Sequence, residues 1–262
     1  MSEPPAEDRL RLTVAGSSNA VARPGRACSS YFVEAAGTKV VLDLGSGAVG
    51  NLRRHTSMDG PDAIIISHMH PDHFLDLVPL RYGLRYGART TNRRPVLYLP
   101  PDGEALLRRV VDPFATDDNG HFLDVYELRE YDPEGTLTVG DITVRFALSK
   151  HYIPAFAMRA EYNGSSVTYS ADTAPEQRVV DLAKDTGLFI CEATLRPHQR
   201  DAEPRGHSTA REAGEMAQHA DARRLLLSHY GSEASRDELE SEARSTYQGD
   251  LLVADDHMSI TL

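Results

Sequence analysis

Short apolar runs separated by Gly and Pro dominate the first half of the chain. These runs predict consecutive β-strands at 10–15, 31–35 and 40–44. A continuous apolar run at 63–66 predicts a buried strand, and apolar residues at helical spacing predict a helix over 74–86. A cluster of histidines lies between the last two elements, so we expect it at the end of a buried strand.

The second half of the chain alternates strand and helix patterns more evenly. Apolar runs predict six strands, at 142–148, 156–162, 166–170, 188–191, 224–227 and 251–254. Helical spacing predicts three helices, at 176–184, 209–219 and 236–247. Asn163 and Gly164, between two strand patterns, predict a tight hairpin turn.

Together these elements predict one domain of mixed α/β (α+β) class over 10–262, preceded by a disordered tail at 1–9. Runs of strands with interleaved helices favour an αββα sandwich, in which two mixed sheets pack face to face and helices cover both outer surfaces. A chain of 262 residues with 40% hydrophobic content can bury a full core in this way.

Composition bears on partners and compartment. The formal charge of -11 disfavours nucleic acid unless a local basic patch compensates, and it favours a small substrate. Cys28 and Cys191 allow at most one pair, so no disulfide framework supports the fold and a reducing cytoplasm is expected. The acidic start lacks the features of a signal peptide, and no apolar run approaches the roughly 20 residues that span a bilayer. We therefore expect no membrane insertion.

The most informative stretch contains three imidazoles and a carboxylate within six residues, His68, His70, Asp72 and His73. Such groups are unfavourable to bury unless a partner neutralises and orients them, and a metal ion does both. Imidazole nitrogen and carboxylate oxygen suit Zn²⁺, with Mn²⁺ or Fe²⁺ as alternatives. A solvated polar loop is the competing interpretation.

Two coordination spheres need further ligands from other strand ends. Three polar residues follow apolar runs at such ends, namely His151, Asp172 and His229. Sheet-based folds build their sites at this position. Each residue alone is more often a surface side chain, but their common position together with the histidine cluster favours a metal site.

At this point the sequence resembles the metallo-β-lactamase superfamily, and within it the branch of tRNA 3′-processing endonucleases (RNase Z) and bacterial cyclic-nucleotide phosphodiesterases. The resemblance covers almost the whole chain. It rests, in order, on 16–21 with 24–26, Asp43-Leu44-Gly45, the histidine cluster, 170–173, 191–194, 206–209, Leu227-Ser228-His229 and 254–256.

The resemblance implies two divalent metal ions and their ligands. The first ion would be bound by His68, His70 and His151, and the second by Asp72, His73 and His229, with Asp172 bridging. Two cations about 3.5–4 Å apart lower the pKa of a water between them, which makes hydroxide available near neutral pH.

Catalytic roles are implied for Asp72, Glu192 and His207. His207 is the predicted general acid or donor to a phosphoryl oxygen, because a departing alkoxide needs a proton. Glu192 would orient His207. The alternative for His207 is a structural neighbour of the helix that begins at Ser208 or Thr209. Asp43 is expected to support a ligand histidine rather than to bind metal.

The chain departs from tRNA-processing members in features that bear on the substrate. Those members usually carry a tRNA-gripping arm between the third histidine and the bridging aspartate, whereas only 20 residues separate His151 from Asp172 here. Asp76-Leu77 resembles the cyclic-nucleotide phosphodiesterases, and Ala171 replaces a frequent Gly, which leaves the local turn open. In the basic segment 81–94, Arg85 and Arg89 are candidate substrate contacts; a solvated helix face or a subunit contact is the alternative.

The sequence therefore predicts a binuclear metal-dependent hydrolase that cleaves a small phosphodiester, with a cyclic nucleotide as the leading substrate. The alternatives are a tRNA 3′ endonuclease, an ester, lactone or thioester hydrolase on the same metals, and a metal-stabilised module without activity. Nucleic acid as a partner and a homodimer are left open.

Overall fold

A computed structural model describes residues 9–91, 93–115, 121–199 and 201–262. The predicted disordered tail at 1–9 lies outside this part of the chain except for Arg9, whose Nε donates a hydrogen bond to the carbonyl oxygen of Leu262 over 3.3 Å. The prediction for the tail is therefore not tested by the structure.

The strands form two sheets of seven strands each, numbered in chain order. The first has the spatial order β14-β1-β2-β3-β4-β5-β6. Its strands are β1 Arg11–Gly16, β2 Ser30–Ala35, β3 Thr38–Leu42, β4 Ala63–Ile65, β5 Val96–Leu99, β6 Glu127–Glu130 and β14 Ser259–Thr261. Strands β3 to β6 pair in parallel, and β14, β1, β2 and β3 pair antiparallel.

The second sheet has the order β13-β12-β11-β10-β9-β8-β7. Its strands are β7 Thr136–Val139, β8 Ile142–Leu148, β9 Phe156–Tyr162, β10 Ser165–Tyr169, β11 Leu188–Glu192, β12 Arg224–Ser228 and β13 Asp250–Val253. Strands β10 to β13 pair in parallel. Both sheets are mixed, as predicted.

Helices cover the outer faces of both sheets. They are α1 Ala48–Leu52, α2 Pro71–Phe74, α3 Leu77–Tyr86, α4 Gly103–Val111, α5 Gln177–Leu182, α6 Ala210–His219 and α7 Arg236–Arg244, with a short 3₁₀ turn at Asp112–Phe114. Among the residues that the structure describes, none of these helices has the length and apolar composition that a bilayer crossing requires.

Three apolar layers hold the sandwich together. Between the sheets, side chains of the first sheet such as Val33 pack with Val144 and Val167 of the second. Leu80 of α3 lies in the layer on the outer face of the first sheet, and Met216 of α6 in the layer on the second. The αββα sandwich predicted from the sequence is confirmed, because each sheet buries both faces.

The predicted helix over 74–86 is divided in the structure. A single turn, α2, begins with Pro71 at its first position, and α3 begins only at Leu77. Between them, the amide N–H of Asp76 donates to the carbonyl of Leu44 over 3.1 Å, and the carboxylate of Asp76 accepts from the amide of Val49 over 2.8 Å. The spacing of apolar residues alone predicts one continuous helix, but these two tertiary hydrogen bonds of Asp76 separate α2 from α3.

The predicted hairpin at Asn163 and Gly164 is present. Both residues have positive φ, 45° and 78°, and the strands pair Tyr162 with Ser165 on either side. Two consecutive positive φ values give the turn whose twist matches that of the flanking antiparallel strands. The hairpin fills most of the segment between His151 and Asp172.

The turn before β14 ties the end of the chain to the beginning. The Asp256 carboxylate accepts hydrogen bonds from Ser17 Oγ at 2.7 Å, Ala27 N at 2.8 Å and Asn51 Nδ2 at 2.7 Å. Next to it, Asp255 pairs with the guanidinium of Arg26. One carboxylate therefore joins the loop after β1 and helix α1 to the C-terminal turn.

Asp256→Ala should lower the free energy of unfolding by about 2 kcal/mol, because three donors lose a charged acceptor. Urea unfolding followed by circular dichroism measures the change. Glu240→Ala is the matched control, since Glu240 is exposed on α7. Equal midpoints for the two variants would contradict the structural role of Asp256.

Candidate metal centre

The seven predicted ligands lie at one end of the sandwich, where strands of both sheets end. The loop after β4 supplies the histidine cluster, and the second sheet supplies the rest from the ends of β8, β10 and β12. Parallel strands place their carboxyl ends at one edge, which brings these loops together. The residues are His68, His70, Asp72, His73, His151, Asp172 and His229.

A first group contains three imidazoles and one carboxylate oxygen. His70 Nδ1 lies 3.2 Å from His68 Nε2 and 2.9 Å from His151 Nε2. Asp172 Oδ2 lies 3.8 Å from both His68 Nε2 and His151 Nε2. Four potential ligand atoms thus surround one small space.

A second group surrounds the other oxygen of the same aspartate. Asp172 Oδ1 lies 3.4 Å from His73 Nε2 and 3.4 Å from His229 Nε2. Asp72 Oδ2 lies 3.3 Å from His73 Nε2 and 3.2 Å from His229 Nε2. Asp172 therefore faces one group with each carboxylate oxygen, which is the arrangement of a bridging ligand.

Asp43 fixes the orientation of His73 from behind. Its carboxylate lies 2.7 Å from His73 Nδ1 and also accepts from Ser67 N at 2.6 Å, Ser67 Oγ at 2.7 Å and the Tyr169 hydroxyl at 2.9 Å. Ser67 Oγ in turn lies 2.9 Å from His68 Nδ1. A hydrogen bond to the second ring nitrogen orients a ligand histidine and sets its tautomer.

Two further residues, to which the sequence analysis gave no role, orient the other ligand rings. The carbonyl oxygen of Gly206 lies 2.9 Å from His151 Nδ1, and Thr194 Oγ1 lies 2.8 Å from His229 Nδ1. The Nε2 atoms of both rings thus remain directed at Asp172. Thr194 lies in a motif quoted above, but a backbone carbonyl such as that of Gly206 leaves no signal in a sequence.

The donor set fits a metal ion. His73 Nε2 and Asp172 Oδ1 are fully buried and have no hydrogen-bond partner. Native proteins rarely leave buried polar atoms unsatisfied, and a bound cation would give both atoms a partner. Because the same two atoms point into the second group, this part of the site is suited to bind a cation.

Burial and neighbouring charges shift the histidine pKa values in opposite directions. Burial, together with the adjacent His73, holds the pKa of His68 well below its usual value, so its ring is neutral as a ligand must be. Burial also disfavours charge on His73, but Asp172 and Asp43 raise its pKa well above the usual value. A cation bound beside Asp172 would replace the proton on His73.

Three residues of the site have left-handed backbone conformations. Asp43, Ala171 and His229 have φ of 58°, 51° and 53°. A non-glycine residue in this region is strained and persists where the surrounding structure requires it. The frequent Gly at the position of Ala171 is explained by this turn, which the chain forms with Ala as well.

Beside the ligands, the buried carboxylate of Glu192 pairs with the half-buried imidazole of His207. His207 Nδ1 lies 2.9 Å from Glu192 Oε1, and the carboxylate also accepts from Thr173 N at 2.9 Å and Thr194 N at 3.0 Å. Burial alone would lower the pKa of His207, but the charge and hydrogen bond of Glu192 raise it to about 9. The His207 ring stacks 5.9 Å from that of His229.

A cavity of about 310 Å³ opens onto this constellation. Its walls include Asn19, Ala20, Pro71 and Thr194 together with His207 and four of the candidate ligands, His70, Asp72, Asp172 and His229. Asn19 and Ala20 belong to the loop after β1, to which the sequence analysis assigned no contact with substrate.

The two candidate substrate arginines lie on the segment after α2. Arg85 Nη1 lies 3.6 Å from Asp124 Oδ2, and the Arg89 guanidinium contacts Asp59 and the carbonyl of Arg93. Neither is among the described residues that line the 310 Å³ cavity. A substrate contact by either arginine stays a prediction.

Metal loading should stabilise the protein. At a free ion concentration about 1,000 times the dissociation constant, we expect Zn²⁺ or Mn²⁺ to raise the unfolding midpoint by about 10 °C. Asp172→Ala should abolish the increment, because both groups lose their shared oxygen donors. Scanning calorimetry of chelated and metal-loaded protein measures the rise in the unfolding midpoint. An equal rise in Asp172→Ala would contradict the assignment of Asp172 as a ligand shared by both groups.

Comparison with known proteins agrees with this geometry. A model of the family described as Beta-lactamase superfamily domain matches residues 38–230. An uncharacterized protein of Mycobacterium tuberculosis is 33% identical over 244 residues, which are 92% of this chain and 88% of that protein. A Ribonuclease Z of Haloferax volcanii is 28% identical, over 94% of this chain and 93% of that enzyme.

A Bacillus subtilis protein is similar in both sequence and structure. "Probable metallo-hydrolase YhfI" is 27% identical over 94% of this chain and 97% of its own length. The crystal structure of YhfI matches with a TM-score of 0.86 at 24% identity and covers 97% of this chain and 100% of that one. With its αββα sandwich and its clustered histidines and aspartates, the chain belongs to the β-lactamase superfamily of metallo-hydrolases.

Proposed function

We propose that this chain is a phosphodiesterase that binds two divalent metal ions, Zn²⁺ in the first instance, and hydrolyses a small nucleotide phosphodiester. A 3′,5′-cyclic nucleotide is the favoured substrate. The observation on which this rests is the Glu192–His207 pair, a proton donor held 2.9 Å from its carboxylate partner at the edge of the ligand cluster. The ions would be bound by the two groups that share Asp172.

The residues divide the work of hydrolysis. Two divalent ions held by the seven ligands would supply an activated water and neutralise charge on the phosphoryl group. As the attack of water forms one P–O bond and the ester P–O bond breaks, His207 donates its proton to the departing alkoxide. Glu192 stabilises the protonated ring before the transfer, and water restores the proton afterwards. With a cyclic nucleotide, a single product carries both the phosphomonoester and the freed hydroxyl, and the proton released by the attacking water balances the one that His207 regains.

Size and charge support a small substrate. The cavity of about 310 Å³ is at the lower end of ligand sites in proteins. The net charge of -11 repels a polyanion, and the segment between His151 and Asp172 is a short hairpin, without room for a tRNA-gripping arm. These features favour a mononucleotide over tRNA.

Protein loaded with Zn²⁺ or Mn²⁺ should convert cyclic AMP to AMP, and chelation should abolish the reaction. Liquid chromatography of the nucleotides after incubation measures both. Metal analysis of the purified protein identifies the ion and its stoichiometry. Cyclic GMP and a panel of small esters are assayed in parallel. If neither cyclic nucleotide gives more product than the chelated control, the cyclic-nucleotide proposal is refuted.

His207→Gln should lower kcat by about 10²–10⁴-fold, because an amide cannot donate a proton as a general acid. Metal content should stay unchanged, since His207 is not among the proposed ligands. His219→Gln is the control, because His219 is an exposed imidazole in the last turn of α6. A variant with wild-type kcat would remove His207 from the mechanism.

Cleavage of precursor tRNA is the second candidate, because relatives named Ribonuclease Z align with almost the whole chain. Incubation of nanomolar enzyme with precursor tRNA tests it. Cleavage at the 3′ end that His207→Ala abolishes would favour this function over the first.

A further inference from the structure

The loop that leads into His207 is organised by one carboxylate. Asp201 Oδ2 accepts hydrogen bonds from Gly206 N at 2.8 Å and His207 N at 2.9 Å. Asp201 Oδ1 accepts from Ala202 N at 2.8 Å and from the hydroxyl of Tyr152. A single side chain thus accepts four hydrogen bonds, three from amides of the loop 201–207 and one from Tyr152.

The two amides bound by Asp201 belong to the residues that contact the site. Gly206 presents its carbonyl oxygen to His151 Nδ1 over 2.9 Å, and His207 directs its ring at Glu192. Both contacts depend on the orientation of the same short backbone segment. Asp201 therefore acts at the same time on a proposed metal ligand and on the proposed proton donor.

The ring of Tyr152 limits where this segment can lie. It packs beside the rings of His151 and His207, with centroids 4.7 Å and 5.4 Å away. A Cβ atom at Gly206 would lie 2.7 Å from the Tyr152 ring, so the backbone of Gly206 passes directly against it. Because the hydroxyl of Tyr152 also donates to Asp201, Tyr152 and Asp201 contact each other as well as the backbone segment of Gly206 and His207.

We propose that Asp201 is a positioning residue for the hydrolysis: by binding the amides of Gly206 and His207 it holds the His207 imidazole where the leaving oxygen needs a proton. This inference rests on the proposed role of His207 as the acid. Asp201 itself neither lines the 310 Å³ cavity nor belongs to the candidate ligand groups. Misplacement of a catalytic group by about 1 Å is enough to reduce a rate 10²-fold.

Substrates with different leaving groups separate positioning from general damage. A cyclic nucleotide releases an alkoxide, which needs the proton from His207, whereas bis(4-nitrophenyl) phosphate releases a stabilised phenolate that departs without much proton donation. Misalignment of His207 should therefore lower kcat on the cyclic nucleotide far more than kcat on bis(4-nitrophenyl) phosphate. A purely structural defect, or loss of metal, should affect both equally.

Asp201→Asn is the test variant, because the amide keeps one acceptor oxygen but presents an NH₂ group to the other pair of donors. At saturating metal ion, we expect kcat on cyclic AMP to fall about 100-fold with KM nearly unchanged. On bis(4-nitrophenyl) phosphate kcat should fall less than about tenfold. Tyr152→Phe, which keeps the ring and removes one bond to Asp201, should produce a smaller selective loss.

Glu203→Gln is the matched control, since it neutralises an exposed carboxylate two residues away in the same loop. Hydrogen–deuterium exchange of the peptide 201–208 provides a readout that does not depend on turnover. Exchange at Gly206 and His207 should be faster in Asp201→Asn than in wild type or Glu203→Gln.

Equal losses on both substrates, or unchanged exchange at Gly206 and His207, would overturn the positioning role. If Asp201→Asn does not fold, Tyr152→Phe decides, because it should still show the selective loss. If the wild-type protein hydrolyses neither substrate, the proposed function fails, and unchanged exchange would overturn the positioning role separately.

Discussion

Five imidazoles and two carboxylates are concentrated at one end of this sandwich, and much of the surrounding structure serves to make their burial tolerable. Unpaired polar groups are unfavourable in a protein interior, and clustered ones more so. Asp172 lessens the problem by facing four of the histidines, two at 3.4 Å and two at 3.8 Å. The Nδ1 atoms of these four histidines each lie within hydrogen-bond distance of a hydroxyl, a carboxylate or a carbonyl. The left-handed backbone at Asp43, Ala171 and His229 is the strain that this convergence imposes.

Most of the central strands could be predicted from the sequence because burial on both faces requires long apolar runs. Four strands were not predicted. Three lie at sheet edges: β6 and β7 have mostly exposed or half-buried side chains, and β14 has three residues. The fourth, β5, is a buried strand of only four residues inside the first sheet. β6 and β14 pair with strands distant in the chain, whereas β7 pairs with the neighbouring β8, and the composition of these strands alone does not indicate the pairing. The divided helix at 71–86 is a similar case, because the bonds of Asp76 that interrupt it are tertiary.

The candidate ligands could be found because metal chemistry restricts the choice of residue, and each one follows an apolar strand. The supporting contacts were harder to predict. Asp43 was recognised through a motif. Thr194 and the carbonyl of Gly206 orient ligand histidines through contacts that form only when the strand ends come together in the folded chain. Asp201 is an acidic residue in a polar loop, and its composition gives no hint that four donors converge on it. Fold and donor set thus follow from the sequence, while substrate choice depends on loops that surround them.

The candidate ligands come from both layers of the sandwich. The loop after β4 of the first sheet contributes His68 to His73, and the second sheet contributes His151, Asp172 and His229. An ion that binds residues of both sets would connect the two sheets at the end of the sandwich where their apolar interface stops. Separation of the two sheets would therefore divide each ligand group, even with the helices still packed on their own sheets.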